Sequence, residues 1–236
     1  MTIPYLQHQQ RVQAIRDHVE FFLALDPSHH GVEIPTCPEW TVEGVLRHVS
    51  GGALTVCEWV ERADNPDLDP IAVLRESHSF SASAPLAELT PSLMRYVELI
   101  ESRDKHSETF LFDERVSLGK QVWHATGDWG MHRHDVELAL GWAPSLTAER
   151  AGDLIGWLLE YLQPTVEANR SWDRPPGLRL VADDAPVDVV AGEGESRAVL
   201  RASARDLLMF LWRRPTGQVS IEGDPRILHA YLDRVV

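Results

Sequence analysis

The residues best suited to chemistry lie in one run, His124-Ala-Thr-Gly-Asp128-Trp-Gly-Met-His132-Arg-His134-Asp135. On an α-helix, positions 124, 128, 132 and 135 fall within about 80° of one another, because steps of three and four residues nearly complete a turn. They form a stripe of imidazoles and carboxylates, the groups that bind divalent metal ions. Asp128 and His132 stand at i and i+4, a spacing at which two side chains of one helical face can hold one ion. Two imidazole nitrogens and one carboxylate oxygen are the usual protein contribution to a catalytic divalent site that keeps a position open for water or substrate. The second imidazole must come from another element, and His48 is the candidate. Zinc is the first ion this donor set suggests, with nickel, iron and manganese as alternatives. In a chain with 11 histidines a D-x-x-x-H pair also arises by chance. The competing reading is a hydrogen-bonded Asp128–His132 pair beside the apolar face of Ala125, Trp129, Val136 and Leu140. His124 and Asp135 are expected to orient the ligands rather than to bind the ion themselves.

These residues need helices to position them. Apolar periodicity predicts helices over residues 4–26, 41–64, 86–101, 120–140 and 147–168, with Thr41 capping the second and Gly141 closing the fourth. His48 falls in the second helix, roughly 120° from the apolar face of Val42, Val45, Leu46, Val49, Ala53, Val56 and Val60, on a stripe with Gly52, Thr55 and Trp59. Taken alone it reads as a histidine at the edge of the core. Gly51-Gly52 in mid-helix cost about 1 kcal/mol each relative to alanine, so they call for a neighbour or a ligand that comes close. Residues 65–70 read as a connector, and 103–118 carry no clear pattern. Beyond the Pro-rich stretch Ser171 to Gly177, alternating or β-branched runs at 178–182, 187–191, 197–202 and 218–222 read as strands. Helices are expected at 204–213 and 225–235. The fold class is therefore mainly α with an α+β C-terminal part, divided into a helical bundle over 1–172 and a small α+β domain over 173–236.

The totals narrow the partners. The 236 residues carry a formal charge of −14, which leaves no surplus of Lys and Arg for nucleic acid or an anionic membrane surface. The run Leu207 to Trp212 is too short to span a bilayer, and the N-terminus lacks a basic region and an apolar signal core. A cytoplasmic protein, monomer or homodimer, with a small-molecule partner is expected. The two cysteines, Cys37 and Cys57, cannot make a disulfide framework. Cys57 lies about 180° around the helix from His48 and points away from any site His48 helps to form. Cys37, in the loop before that helix, stays available. A thiol required by the metal chemistry comes more readily from a soluble cofactor.

The segment Cys37-Pro-Glu-Trp40-Thr-Val-Glu-Gly-Val-Leu-Arg-His48-Val-Ser-Gly, followed by Asp128-x-x-x-His132-Arg-His-Asp135-Val-Glu-Leu-Ala-Leu-Gly141, resembles the mycothiol-dependent maleylpyruvate isomerase family. Asp206-Leu-Leu-Met-Phe-Leu-Trp-Arg-Arg214 with Ile221-Glu-Gly-Asp224 is similar to that family's small C-terminal domain. The resemblance implies a DinB-like four-helix bundle for the first domain and places His48, Asp128 and His132 on its three metal ligands. It also implies mycothiol as the thiol cosubstrate. A metal-bound thiol is deprotonated near neutral pH. The thiolate then adds to the alkene of a cis-enone such as maleylpyruvate, permits rotation, and leaves to give the trans product. Other members are expected to transfer mycothiol to an electrophile, as S-transferases. Asp128 stands where the family carries glutamate, which shifts the carboxylate by about one methylene. Arg213 and Arg214 are candidates for contacting a substrate carboxylate, against an ordinary role at a helix C-terminus. Two other readings are a metal-dependent hydrolase on the same bundle and a non-catalytic small-molecule-binding protein with a vestigial site.

Overall fold

The computed structural model describes residues 2–162, 175–214 and 216–232. The chain divides into two compact units, Gln7–Ser145 and a second made of Met1–Leu6 with Leu146–Val236. The boundary expected at 172/173 lies outside the described residues. Among the described residues no helix is long and apolar enough to cross a membrane.

The first unit is the helical bundle. Helices α1 (His8–Leu23), α2 (Val42–Glu61), α5 (Pro91–Ser102) and α6 (Leu118–Ala139) supply most of its core. Thr41 Oγ1 accepts from Gly44 N at 3.2 Å and starts α2, and Ser117 caps α6 through Lys120 N in the same way. The predicted face of α2 is buried throughout, packed with Ile15, Val19 and Phe22 of α1, Leu93, Tyr96 and Val97 of α5, and Val122, Ala125 and Trp129 of α6. The first helix starts at His8 rather than residue 4. Thr2 pairs with Asp188 and Leu6 N donates to the buried Asp153 carboxylate, so the opening residues belong to the second unit.

Two elements of the bundle escape the periodicity analysis. Helix α3 (Pro70–Ser83) is opened by Asp69, whose carboxylate accepts from Ile71 N and Ala72 N. Its buried positions are Val73, Ser77 and Ser81, spaced by four. This face is small rather than apolar, which hides it from hydrophobic patterning and lets α3 lie close to α2. At the crossing a Cβ on Gly51 would sit 2.7 Å from Ser81 Oγ. Close helix packing thus accounts for Gly51. The expected helix 86–101 is split by Pro91 into the single turn α4 (Leu86–Leu89) and α5, with Pro91 in the first turn of the latter. Residues 103–118 contain an antiparallel hairpin, β1 (Glu108–Leu111) and β2 (Glu114–Ser117), turning at Phe112 with φ 57°. The N-terminal part is therefore not purely helical. Phe110, Leu111 and Val116 bury the hairpin's apolar side while its charges face out.

The second unit carries α7 (Ala148–Trp157), which the sequence reading counts with the bundle, and a π-helical turn over Leu158–Leu162. A four-stranded sheet follows in the order β4-β3-β5-β6, made of β3 (Pro176–Ala182), β4 (Asp188–Ala191), β5 (Glu193–Ala202) and β6 (Ser220–Gly223). β3 pairs antiparallel with β4 and parallel with β5, and β5 pairs antiparallel with β6. Helix α8 (Ala204–Leu211), capped by Ser203, buries Leu207 and Leu208, and α9 (Arg226–Leu232) closes the described chain. The fold class is mainly α with an α+β C-terminal part.

Candidate metal centre

The site lies within the bundle unit, between α2, α6 and the loop that leads into α2. His48 comes from α2, two turns past its Thr41 cap. Asp128 and His132 come from α6, one turn apart, on the face turned toward α2. The structure brings the three together, with one donor atom from each lying within 4.8 Å of the others. His48 Nε2 is 3.1 Å from Asp128 Oδ2, and His132 Nε2 is 3.7 Å from Asp128 Oδ1. Bonds of about 2.0–2.2 Å to a tetrahedral zinc separate its donor atoms by roughly 3.3–3.5 Å, a value these distances bracket. Asp128 lies between the two imidazoles, one carboxylate oxygen toward each. The donor set fits a divalent ion in both type and spacing.

The electrostatics agree with the geometry. Burial works to raise the Asp128 pKa, but the hydrogen-bonded His48, with His132 and His124 beyond it, outweighs burial and holds the carboxyl well below its usual range. Burial likewise works to lower the His48 pKa, and the charge and hydrogen bond of Asp128 raise it on balance. His124, one turn before Asp128, is half-buried with its ring 5.7 Å from that of Phe112, and burial pushes its pKa down.

The loop before α2 frames the site. Ile34 N donates to Trp40 O and Val42 N to Val32 O, both at 2.9 Å, so residues 32–42 fold back on themselves. Glu39 takes a left-handed φ of 71° at the turn. Trp40 then stacks on His132 with ring centroids 5.4 Å apart and planes 8° from parallel, and meets His48 edge-on at 5.2 Å. The same loop reaches Asp135. Thr36 Oγ1 donates to its Oδ1 at 2.6 Å and Cys37 Sγ to its Oδ2 at 3.4 Å. Asp135 is fully buried, with Oδ2 3.7 Å from His132 Nδ1.

No protein-family model matches the chain, and no curated protein matches its sequence. Among solved structures, a mycothiol-dependent maleylpyruvate isomerase and a histidine-to-alanine variant of it match at TM-score 0.64 and 16% identity. Each covers 95% of this chain and 97% of its own. The chain has the maleylpyruvate isomerase fold.

On this isomerase fold the sequence reading missed three contributors. Trp40 stands in the quoted motif, but its contact with both imidazoles was not legible there. Thr36 carries no signal in the sequence. His78, on α3, is close enough to His48 for the two charges to oppose each other, and it sits in the segment that periodicity left unassigned. Arg213 and Arg214 belong to the other unit. The Arg213 guanidinium donates to Tyr231 O at 3.1 and 3.3 Å, and Arg214 donates to Trp212 O at 3.1 Å and lies over the Trp212 ring. Cys57 is buried, and burial pushes its thiol up to about 12.

Proposed function

We propose that this chain is a cytoplasmic mycothiol-dependent isomerase of a carboxylated cis-enone of the maleylpyruvate type, in which His48, Asp128 and His132 hold one divalent ion, zinc by its donor set. The observation that carries this reading is the convergence of two imidazoles and one carboxylate, from two helices 80 residues apart in sequence, on a fold shared with a mycothiol-dependent maleylpyruvate isomerase. The ion, when bound, would lower the pKa of a coordinated thiol so that it reacts as thiolate.

The chain's own residues prepare that chemistry. Asp128 supplies negative charge and fixes one nitrogen of each imidazole toward a common point. Trp40 holds the His132 ring plane, and Asp135, anchored by Thr36, stands on its far side, so His132 presents Nε2 to the site. In this reading the thiol comes from mycothiol, on which the structural neighbour depends, while Cys57 is buried with a raised pKa and Cys37 donates to Asp135 on the far side of His132. Addition of the thiol to the alkene is the step shared by isomerisation and S-transfer. Isomerisation follows if the thiol is expelled after rotation, and a stable conjugate follows if it is retained.

The test begins with metal content. Protein purified without added metal is expected to carry close to one divalent ion per chain by mass spectrometry, and His132→Ala to carry none. Mycothiol should bind the metal-loaded protein and not the metal-free one, and a maleylpyruvate-like enone should return its trans isomer with mycothiol regenerated. Accumulation of a mycothiol conjugate would move the assignment to S-transferase, and metal-independent mycothiol binding would refute it.

A further inference from the structure

The His132 imidazole has two nitrogens, and the fold gives each its own set of donors. Nε2 faces Asp128 and His48. On the other side, Cys37, His132 and Asp135 also each offer one donor atom, and these three lie within 4.8 Å of one another. Cys37 Sγ is 3.4 Å from Asp135 Oδ2, and His132 Nδ1 is 3.7 Å from the same oxygen. The second distance exceeds hydrogen-bond range; the first is close to the roughly 3.5 Å between a thiolate and an oxygen that share a tetrahedral ion, and the second is a few tenths of an ångström longer than the roughly 3.3–3.5 Å between nitrogen and oxygen donors of one ion. The two nitrogens of one imidazole point away from each other and cannot serve a single ion.

We propose that Cys37 Sγ, His132 Nδ1 and the Asp135 carboxylate form a second divalent-metal site that shares the His132 ring with the first. Three features build it. Thr36 occupies Asp135 Oδ1 and so turns Oδ2 toward both other donors. The Cys37 backbone is fixed by its own bonds, Cys37 N to Ile34 O and Trp40 N to Cys37 O, both 3.0 Å. Trp40, stacked on His132, fixes the plane of the ring between the two donor sets. A thiolate, an imidazole and a carboxylate select a borderline or soft ion, Zn2+ or Cd2+, more strongly than the thiol-free first set does. Protons displaced from Sγ and Nδ1 pass to solvent. Without a second ion Asp135 orients His132, and with one it becomes a ligand. Because both ions draw on one ring, occupancy of either site weakens the other.

This inference shares His132 with the proposed function but rests on different atoms, so its test separates the two. Metal-free full-length protein is titrated with Co2+, following ions bound per chain by equilibrium dialysis and the near-ultraviolet thiolate-to-cobalt charge-transfer band. Two ions per chain are expected, and the band should grow with one of them. Cys37→Ser should abolish the band and one equivalent, whereas Cys57→Ser should leave both. His48→Ala should lose the other equivalent and keep the band, so a failure of the first site alone is recognisable. The inference is overturned if no thiolate band develops at saturating Co2+, if the band survives Cys37→Ser, or if His48→Ala removes it.

Discussion

The smallest unit with a testable property is the His48–Asp128 pair. In the metal-free protein His48 is raised above its usual pKa, so its contribution is complete below about pH 6.5 and is lost as pH rises through the raised value. Asp128 is lowered, so its contribution is present above about pH 3.9 and is lost as pH falls toward its folded value. The pair therefore stabilises the metal-free fold in mildly acid solution. His48→Ala is expected to cost about 1 kcal/mol near pH 5.5 and less near pH 8.5, as read by denaturant unfolding. Metal affinity runs the opposite way. The ion competes with the proton on each imidazole, so binding measured by titration calorimetry should strengthen from about pH 6 to 8. The thiols separate just as clearly. With a pKa pushed up to about 12, buried Cys57 should resist alkylation at pH 8 in the folded protein, while half-buried Cys37 should react. Two labels per native chain in mass spectra would contradict the packing around Cys57.

At the scale of elements, the two adjacent glycines of α2 make the sharpest contrast. A methyl on Gly51 would press on Ser81 of α3 at 2.7 and 2.9 Å, whereas one on Gly52 would meet only Trp129 Nε1 at an ordinary 3.9 Å. Gly51→Ala should destabilise by about 1–3 kcal/mol through overpacking, and Gly52→Ala should be neutral or stabilising by up to about 1 kcal/mol, both measured by urea unfolding. The same crossing shows what could be read in the sequence and what could not. Helix α2, its Thr41 cap and its seven-residue apolar face were legible because cap chemistry and a 3.6-residue period act locally. The Asp128–His132 spacing was legible for the same reason. Helix α3 was not, since its buried stripe is Val73, Ser77 and Ser81, and the hairpin Glu108–Ser117 was masked by its outward charges. The contacts of Trp40, Thr36 and Cys37 were hidden for a different reason. They depend on a loop folding back across α6 some 90 residues later in the chain, a long-range contact that no local pattern encodes.

For the whole molecule, the ion and the fold are linked by mass action. If His48, Asp128 and His132 bind an ion only when α2 and α6 are side by side, ion at about 100 times its Kd adds about 2.7 kcal/mol. That should raise the melting temperature of the bundle unit by roughly 5–10 °C in calorimetry, and His132→Ala should remove the rise. With a formal charge of −14, the overall field repels anions, so if the proposed function holds, a carboxylated substrate would have to find its countercharge close to the site. The path of the chain has its own consequence. Thr2 pairs with Asp188 and Leu6 N with Asp153, so the second unit is built from segments on either side of the bundle, which is an insertion within it. During synthesis residues 7–145 can form their core as soon as they emerge, while Leu6 waits for Asp153, 147 residues later, and Thr2 for Asp188, later still. The order of assembly on the ribosome thus follows the topology, the bundle before the unit that holds residues 1–6 and 146–236.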